Sequence, residues 1–347
     1  MQLNLQPSLK MASTSLRLVM STLCLLGCTA VLAETSKDEG ILTLILENDV
    51  LGEIKEDRNY TSGLKITWMS AEGTTPFWAR NLATLGDRLA GDDGELKDVR
   101  VEYQLGQSIF TPKNLERMVP DPVDRPYAGL LYGSVGVLGK RADGSFEQLQ
   151  LLLGVVGPSS RAKEVQRGFH KLISAVDPKG WDTQIRDRLA GEIRYQRTER
   201  AAQRKTSSSL TMEFAPHYGV ALGNLNTSIN GGIGARIGVN LPDDFGPPRI
   251  SPSLPGSGYF KPTAASGWYV FGGLETRYVY RNLVLDAPSA SGARVTRTPW
   301  VLDGQYGLAY YTGNFRVAYT QVTRTREFKQ QDTRLSSFGA VSLTWIY

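Results

Sequence analysis

Short segments in which apolar and polar residues alternate recur along most of the chain, and they predict β-strands. In the last of them, residues 340–347, Val341, Leu343, Trp345 and Tyr347 alternate with small or polar residues. Apolar residues facing outward and polar residues facing inward are typical of transmembrane barrel strands, in which roughly 9–11 tilted residues cross the bilayer. The pattern therefore predicts an all-β fold, a transmembrane antiparallel β-barrel of about twelve strands. The predicted strands are approximately 40–49, 61–71, 99–110, 127–139, 146–157, 188–199, 207–221, 227–240, 267–281, 297–311, 314–325 and 335–347.

One segment has helical rather than strand periodicity. Residues 161–177 place apolar side chains at helical spacing, with Gln166, His170 and Asp177 on another face, and Pro178 is expected to end the helix. The two longer intervening segments, 72–98 and 242–267, are interpreted as connections between strands. The second is rich in Pro, Gly and Ser, has no periodicity and is interpreted as an irregular loop, with a domain linker as the alternative. If the barrel starts in the periplasm, the loops after odd-numbered strands are extracellular. The helix and the polar clusters at 47–49 and 57–63 would then share the extracellular end.

The N-terminal segment predicts export. Basic residues precede an apolar run from Leu18 to Ala33, which is typical of a signal peptide and too short for a membrane helix. We expect residues 1–33 to be the signal peptide and residues 34–347 to form one barrel domain. Both cysteines, Cys24 and Cys28, lie in the signal segment, so no disulfide is expected in the rest of the chain. A lipoprotein with Cys28 acylated, and a soluble β-sandwich, are the alternatives.

The charge of the chain does not indicate a nucleic-acid partner. The formal net charge of +5 is small and the basic residues are dispersed over 347 positions. Arginines concentrate in 186–204 and 316–326, and we interpret these stretches as lying near the phosphates of a membrane surface.

Few residues are candidates for acid–base chemistry. The chain has two histidines, His170 on the predicted helix and His217 within a strand, and an imidazole with a pKa near about 6.5 suits a general base. An ordinary packed histidine is the alternative for His170, whereas His217 is expected to be structural or to face the lumen. Asn48 and Asp49 are oxygen donors of the kind that Ca²⁺ prefers, although they could equally cap a turn.

Two similar clusters, Asp57-Arg58-Asn59-Tyr60 and Asp124-Arg125-Pro126-Tyr127, precede strands that enter the membrane from outside. We interpret each as a buttressing Asp–Arg pair beside an interfacial tyrosine. The chain lacks the Gly-x-Ser-x-Gly, His-Glu-x-x-His and Walker motifs, so a serine nucleophile such as Ser62 or Ser108 has no motif support.

Taken in order, a set of short motifs resembles the outer-membrane lipid A 3′-O-deacylases of the LpxR type. The motifs are Glu47-Asn48-Asp49, Tyr60-Thr61-Ser62-Gly63-Leu64, Ser108-Ile109-Phe110-Thr111-Pro112, Asp124-Arg125, Gly157-Pro158, Glu164-Val165-Gln166, His170, Trp181-Asp182-Thr183-Gln184-Ile185 and Gly223-Asn224. The resemblance implies a twelve-stranded barrel whose substrate is lipid A of lipopolysaccharide, surrounded by outer-membrane lipids. The alternatives are a non-catalytic barrel or channel and a barrel phospholipase.

The same resemblance implies the roles of individual residues. His170 would be the general base, Asn48 and Asp49 would hold Ca²⁺, and Asn48 and Thr61 would line the catalytic site. Lys113 or Arg117 would contact substrate. The family pattern has a glutamate six residues after the histidine, where this chain has Val176. A carboxylate there could orient the imidazole. Asp177 is expected to take this role only if the helix end unwinds near Pro178, because it lies about two helical turns from His170. Neither the acyl-chain specificity nor the oligomeric state follows from the sequence.

Overall fold

A computed structural model describes residues 40–52, 59–90, 96–205, 209–247 and 258–347, apart from the side chains of 84–90 and 96. The predicted signal segment, residues 1–33, lies outside the described residues, as do Asp57 and Arg58. The strands in the described part of the chain are β1 Ile41–Asn48, β2 Asn59–Met69, β3 Leu96–Thr111, β4 Ala128–Arg141, β5 Phe146–Val156, β6 Arg188–Thr198, β7 Ala202–Lys205, β8 Leu210–Gly223, β9 Asn226–Val239, β10 Ser266–Asn282, β11 Trp300–Thr312, β12 Phe315–Thr325 and β13 Leu335–Ile346.

The strands form a closed antiparallel barrel of twelve long strands. Each long strand pairs with its neighbours in the chain, β1 pairs with β13, and β6 pairs with β8 to complete the ring. The short strand β7 pairs with the start of β8. Closure leaves no open sheet edge, so the backbone polar groups within the ring find partners inside the barrel wall. The predicted barrel and its strand number are confirmed.

Alternation along the strands separates the outward face from the lumen. On β13, Trp345 and Tyr347 are exposed whereas Ser342, Thr344 and Ile346 are buried. The same alternation on β1 exposes Leu42 and Leu44 and buries Thr43 and Ile45. Gly40 and Tyr347 hydrogen-bond to each other where β1 starts and β13 ends. We call that end of the barrel the terminal rim and the opposite end the distal rim.

Three helices accompany the barrel: α1 Phe77–Ala90, α2 Ala162–Ile173 and α3 Leu283–Asp286. The helix α1 is part of the connection 72–98, in which no helix was predicted. It lies at the terminal rim, where Ala79 packs against Val101 of β3 and Val137 of β4. Both valines belong to the outward-facing series of their strands, so α1 rests on the outside of the barrel wall. No helix in the described residues is long and apolar enough to span a membrane.

The lumen is filled. At the terminal rim, the described part of the connection between β9 and β10 folds inward and buries Tyr259 and Phe260. Further along the lumen, the carboxylate of Asp303 accepts hydrogen bonds from Arg277 at 2.9 Å and Arg324 at 2.8 Å. Two small cavities within the lumen measure about 30 and 70 Å³. Among the described residues the lumen holds packed side chains and no wide aqueous path, which disfavours the channel alternative.

The arginine-rich stretches take part in this filling. Arg316 is fully buried, binds the Asp244 carboxylate and lies 4.6 Å from the ring centroid of Phe260. Arg194 pairs with Glu192 at 2.5 Å. Burying a charge is costly unless it is paired, and these side chains have carboxylate partners. The interpretation of both stretches as contacts to membrane phosphates was wrong for these arginines.

Candidate functional site

Asn48 and Asp49 end β1 at the distal rim. The Asn48 side-chain oxygen accepts the backbone N–H of Val50 at 2.8 Å and so caps a single 3-10 turn, Asp49–Leu51. Asp49 lies in this turn and is 2% exposed. Asn48 is directly opposite Ser62 on β2. The turn-capping alternative for Asn48 is therefore observed, and it places an amide and a carboxylate beside the start of β2.

Thr61 occupies a β-bulge. The register between β2 and β3 shifts between Tyr60 and Ser62, so Thr61 is the extra residue. A bulge redirects the side chain of the extra residue. The Thr61 hydroxyl lies 2.6 Å from the hydroxyl of Thr111 at the end of β3, and both threonines are buried. The two hydroxyls thus form one polar contact next to the strand end that carries Asn48.

This polar group lies on the outward face of the wall. Asn48 belongs to the same alternating series as the exposed Leu42 and Leu44, and Thr111 to the series of Tyr103 and Leu105. Glu47, in the opposite series, lines the lumen cavity.

The depth of the polar group follows from the aromatic residues near the terminal rim. Trp68 and Tyr103 stack with ring centroids 5.5 Å apart, and Trp345 pairs with Leu42. Asn48 lies six residues from Leu42 on β1, and Thr61 lies seven residues from Trp68 on β2. Thr111 lies eight residues from Tyr103 on β3. Because a tilted strand crosses the bilayer in roughly 9–11 residues, the polar group lies near the far boundary of the apolar layer.

The helix α2 covers the neighbouring wall. Ala162 packs with Ile109 and with Trp181, which follows the helix, and the Gln107 amide donates to the carbonyl of Ser160 at 2.6 Å. Gly129 of β4 permits this approach, because a side chain there would overlap Ala162 and Ser160. The face of α2 that turns toward the wall continues with Gln166 and His170, one and two turns beyond Ala162; all three are buried.

His170 is oriented by the backbone. Its Nδ1 lies 2.5 Å from the carbonyl oxygen of Val176. Because a carbonyl only accepts, Nδ1 carries the hydrogen of this contact, and in the neutral imidazole Nε2 is then the nitrogen with the lone pair. Ser174 adopts left-handed backbone angles, with φ of 56°, and the N–H of Ala175 donates to the His170 carbonyl at 2.8 Å. This turn ends the helix at Ile173 rather than at the predicted residue 177.

The carboxylate of Asp177 has a different partner. It forms an ion pair with Arg167, with Nε to Oδ1 at 3.1 Å, across the turn that follows α2. The suggestion that Asp177 orients the imidazole was therefore wrong: the early helix end brings the Val176 carbonyl to His170 and leaves Asp177 to Arg167. The sequence could not indicate this contact, because the acceptor is a backbone group.

Gln166 is a site residue for which no role was predicted from the sequence. Its Oε1 accepts the indole N–H of Trp181 at 2.8 Å, so its Nε2 must point elsewhere. That Nε2 is buried and has no hydrogen-bond partner among the described residues. A buried donor without a partner is costly, and here it lies one helical turn from His170.

The two candidate substrate-binding residues lie in the connection after β3 and are half-exposed. Lys113 Nζ is 2.6 Å from Asp332, and Arg117 is 3.7 Å from Asp121. Lys113 is two residues beyond Thr111. The geometry does not choose between Lys113 and Arg117. His217, by contrast, is in the lumen, with Nε2 3.4 Å from the Glu275 carboxylate, as expected for a structural histidine.

The second Asp–Arg cluster, at 124–127, differs from the interpretation given to it. The Arg125 guanidinium is fully buried, lies 4.7 Å from the Phe110 ring centroid and 3.6 Å from Glu327, and its burial lowers the pKa of Arg125. Tyr127 is also fully buried, packed on Trp181 with centroids 4.9 Å apart. An interfacial position for this tyrosine was wrong, because the connection after β3 folds over it.

A cation site is incomplete among the described residues. They contain no group of three or more His, Cys, Asp or Glu side chains placed to hold a metal. Asn48 and Asp49 supply oxygen donors, and a carbonyl oxygen that accepts one hydrogen bond retains a second lone pair. The pair therefore fits as two ligands of a cation whose other ligands are water, backbone or substrate oxygens.

The chain is similar to known outer-membrane proteins in sequence and in fold. A family model described as outer membrane protein LpxR matches residues 18–347. The solved structure of LpxR from Salmonella typhimurium superposes with a TM-score of 0.71 at 17% identity, covering 88% of this chain and 100% of that chain. The β-domain of the Bordetella autotransporter BrkA gives 0.44 at 8% identity, covering 89% and 99%, and the translocator domain of NalP from Neisseria meningitidis gives 0.38 at 10%, covering 99% of both chains.

The similarity to the Salmonella protein supports the barrel fold alone, and the two autotransporter domains carry no argument. No curated protein sequence matches the chain. The family match, in contrast, spans nearly the whole length and agrees with the closed twelve-stranded wall. The chain therefore belongs to the outer membrane protein LpxR family.

Proposed function

We propose that this protein is an outer-membrane esterase that removes 3′-linked acyl chains from lipid A of lipopolysaccharide, with His170 as the general base. The reaction follows from the family resemblance. The observation that carries the proposal is the 2.5 Å contact between His170 Nδ1 and the Val176 carbonyl. It leaves Nε2 as a proton acceptor on a buried imidazole, and the same helix face packs through Ala162 on Ile109, two residues before Thr111 on β3.

In this mechanism Nε2 of His170 takes a proton from water. The water oxygen forms a bond to the acyl carbon, and the bond from that carbon to the sugar oxygen breaks. The sugar oxygen receives the proton and leaves as an alcohol, while the acyl chain leaves as a carboxylic acid. The Nδ1–H contact to Val176 keeps the imidazole in place during both proton transfers.

We propose that Asn48 and Asp49 hold a divalent cation, most simply Ca²⁺, which favours oxygen ligands. When bound, such an ion stabilises negative charge on an ester oxygen. The Thr61 hydroxyl lines the same group, ordered by its 2.6 Å contact with Thr111. The unpartnered Nε2 of Gln166 supplies a further donor toward the substrate. Lys113 or Arg117 would contact the phosphate groups of lipid A.

The proposal also fixes orientation. If the distal rim faces the cell exterior, Asn48, Thr61 and α2 lie at the level of the outer leaflet, where lipopolysaccharide resides. A phospholipase is the second candidate, because the polar group is on the lipid-facing wall, where any ester lipid of that leaflet has access to it.

Mass spectrometry of lipid A distinguishes these alternatives. Purified protein in detergent micelles would be given lipid A or a diacyl phospholipid, and the products would be identified by mass. We expect loss of a 3′-acyl chain from lipid A. His170→Gln should lower the rate by about 10²–10⁴-fold, whereas His217→Gln, the matched control in the lumen, should retain it. Unchanged hydrolysis by the His170 variant would refute the base, and cleavage of phospholipid alone would refute the substrate.

A further inference from the structure

The helix α2 has an apolar edge that the described residues leave largely exposed. Val165, Phe169 and Leu172 follow one another at helical spacing and are 49%, 41% and 79% exposed, and Val176, in the turn after the helix, is 50% exposed. This edge is separate from the face that packs on the wall, which carries Ala162 and His170. In contact with water such a stripe is unfavourable, because apolar surface is stabilised when it is removed from water.

The edge continues the lipid-facing surface of the barrel. On β3 the outward residues Tyr103 and Leu105 are exposed, and the next two outward positions, Gln107 and Ile109, are covered by α2 and the turn before it. The helix therefore begins where the exposed apolar belt of β3 ends. Its uncovered apolar side chains extend that belt by the width of a helix.

The opposite edge of α2 is basic. Lys163, Arg167 and Lys171 are spaced four residues apart, on the side of the helix away from Phe169 and Leu172. Lys163 and Arg167 form ion pairs with Asp182 and Asp177, which lie after the helix. An apolar edge opposite a row of basic residues is the charge pattern of a helix at the boundary between headgroups and acyl chains.

At the other end of the same wall, α1 has a comparable placement. It rests on Val101 and Val137, and it exposes Phe77 and Leu82. Two helices thus lie on the outside of β3 and β4, one near each end of the exposed belt. This arrangement argues that the position of α2 is set by the boundary of the membrane.

We propose that α2 is immersed at the surface of the membrane, with Val165, Phe169, Leu172 and Val176 in contact with the fatty acyl chains of the leaflet. Its basic edge then lies at the level of the lipid phosphates. A second consequence rests on the proposed function: an acyl chain held along this edge would bring its ester alongside the face that carries His170. The membrane contact itself does not depend on hydrolysis.

Spin labels can test the immersion without measuring activity. Residues 34–347 contain no cysteine, so single-cysteine variants can be labelled at one site. The informative variants are Leu172→Cys on the apolar edge and Lys171→Cys, its neighbour on the basic edge. Leu105→Cys on the exposed belt of β3 is the lipid reference. Each labelled protein would be placed in phospholipid vesicles, and heat-modifiable gel mobility would confirm a folded barrel.

The measurement compares how readily oxygen, which concentrates in lipid, and a water-soluble nickel complex reach each nitroxide. We expect the label at Leu172 to match the label at Leu105, and the label at Lys171 to be reached mainly by the nickel complex. If both helix labels behave as water-exposed, α2 stands clear of the membrane and the proposal is overturned. If both behave as lipid-exposed, the apolar edge has no special role, and the proposal is overturned as well.

Discussion

Gly129 controls how closely α2 approaches the wall, and Gly129→Ala tests the arrangement of the site. A Cβ atom at this position would overlap the Cβ of Ala162 and the Oγ of Ser160, and would lie 3.3 Å from the Cβ of Ser160. Carbon atoms pack best at about 3.5–4.0 Å. The start of α2 must therefore move away from β4 by about 1 Å or more. His170, which lies two turns further along the same helix, moves with it.

A misplacement of about 1 Å can cost about 10²-fold in rate, equivalent to about 2.7 kcal/mol in the activation free energy. We expect Gly129→Ala to lower deacylation of lipid A by about this factor. The barrel itself should still close, because the change faces outward and removes no strand pairing. The assay is the initial rate of acyl-chain release, followed by mass spectrometry, with heat-modifiable mobility as the test of folding.

Gly133→Ala is the matched control. Gly133 lies on the same outward face of the same strand, four residues beyond Gly129, and the nearest heavy atom to its added Cβ is the Gln104 carbonyl oxygen at 3.8 Å. This variant should keep full activity. Equal activity of both alanine variants would refute the view that the contact between α2 and the wall positions the base. Equal loss in both would point to damage to β4.

Three further outcomes are expected. Excess EDTA should abolish activity, and added Ca²⁺ should restore it in the wild type but not in Asp49→Ala, because the variant loses a carboxylate ligand; full activity in EDTA would remove the cation from the mechanism. Val176→Glu should change the rate by less than about tenfold, since the backbone carbonyl already orients His170; a larger gain would show that a carboxylate was needed. Burial alone would raise the pKa of Asp243, but Lys140 and Arg200 outweigh it and hold this pKa below its ordinary value. The ionised Asp243 carboxylate therefore helps to hold the connection between β9 and β10 in the lumen at neutral pH. This stabilisation is lost as the pH falls below about 4 and the carboxylate is protonated. Below about pH 4, the amide hydrogen-exchange rate of residues 258–265, corrected for intrinsic rates, should therefore rise. The Lys140→Ala variant should show a raised exchange rate in the same residues already at pH 7.

The strands could be predicted because the alternation of outward and inward residues is written in the sequence. The series of β13 and the boundaries of β6 were found to within a few residues. The same alternation could have corrected the interpretation of the arginine-rich stretches. Arg316 and Arg324 fall in one series with Ala318 and Val322, which face the lumen. The charge of a stretch alone does not show that its arginines face the lumen.

The helix α1 was missed because its packing depends on distant residues. Its inner contacts, Ala79 and Ala83, are small, and they meet valines of β3 and β4. The spacing of those two alanines, four residues apart, was the available signal. Helix α2 was found from its periodicity, but its apolar stripe is the exposed edge and not the buried face. Periodicity gives the faces of a helix and does not say which face meets protein.

Most candidate residues could be found from the sequence, whereas their arrangement could not. Asn48, Thr61 and His170 come from separate elements, and only the strand register places the first two side by side. The bulge that turns Thr61 outward is a property of two strands together. The contact between His170 and the Val176 carbonyl depends on a left-handed residue, Ser174, at which nothing in the amino-acid type requires that conformation.

The filled lumen and the outward position of Asn48, Thr61 and Thr111 have a consequence for kinetics. A site on the lipid-facing wall meets its substrate by diffusion within the leaflet, so the quantity that sets the encounter rate is the number of substrate molecules per unit area. For an enzyme built in this way, diluting the substrate with inert lipid would slow the reaction, whereas diluting the vesicles with buffer would not. The barrel then acts as a rigid support within the membrane. Because the substrate does not pass through the lumen, the lumen can be filled with side chains.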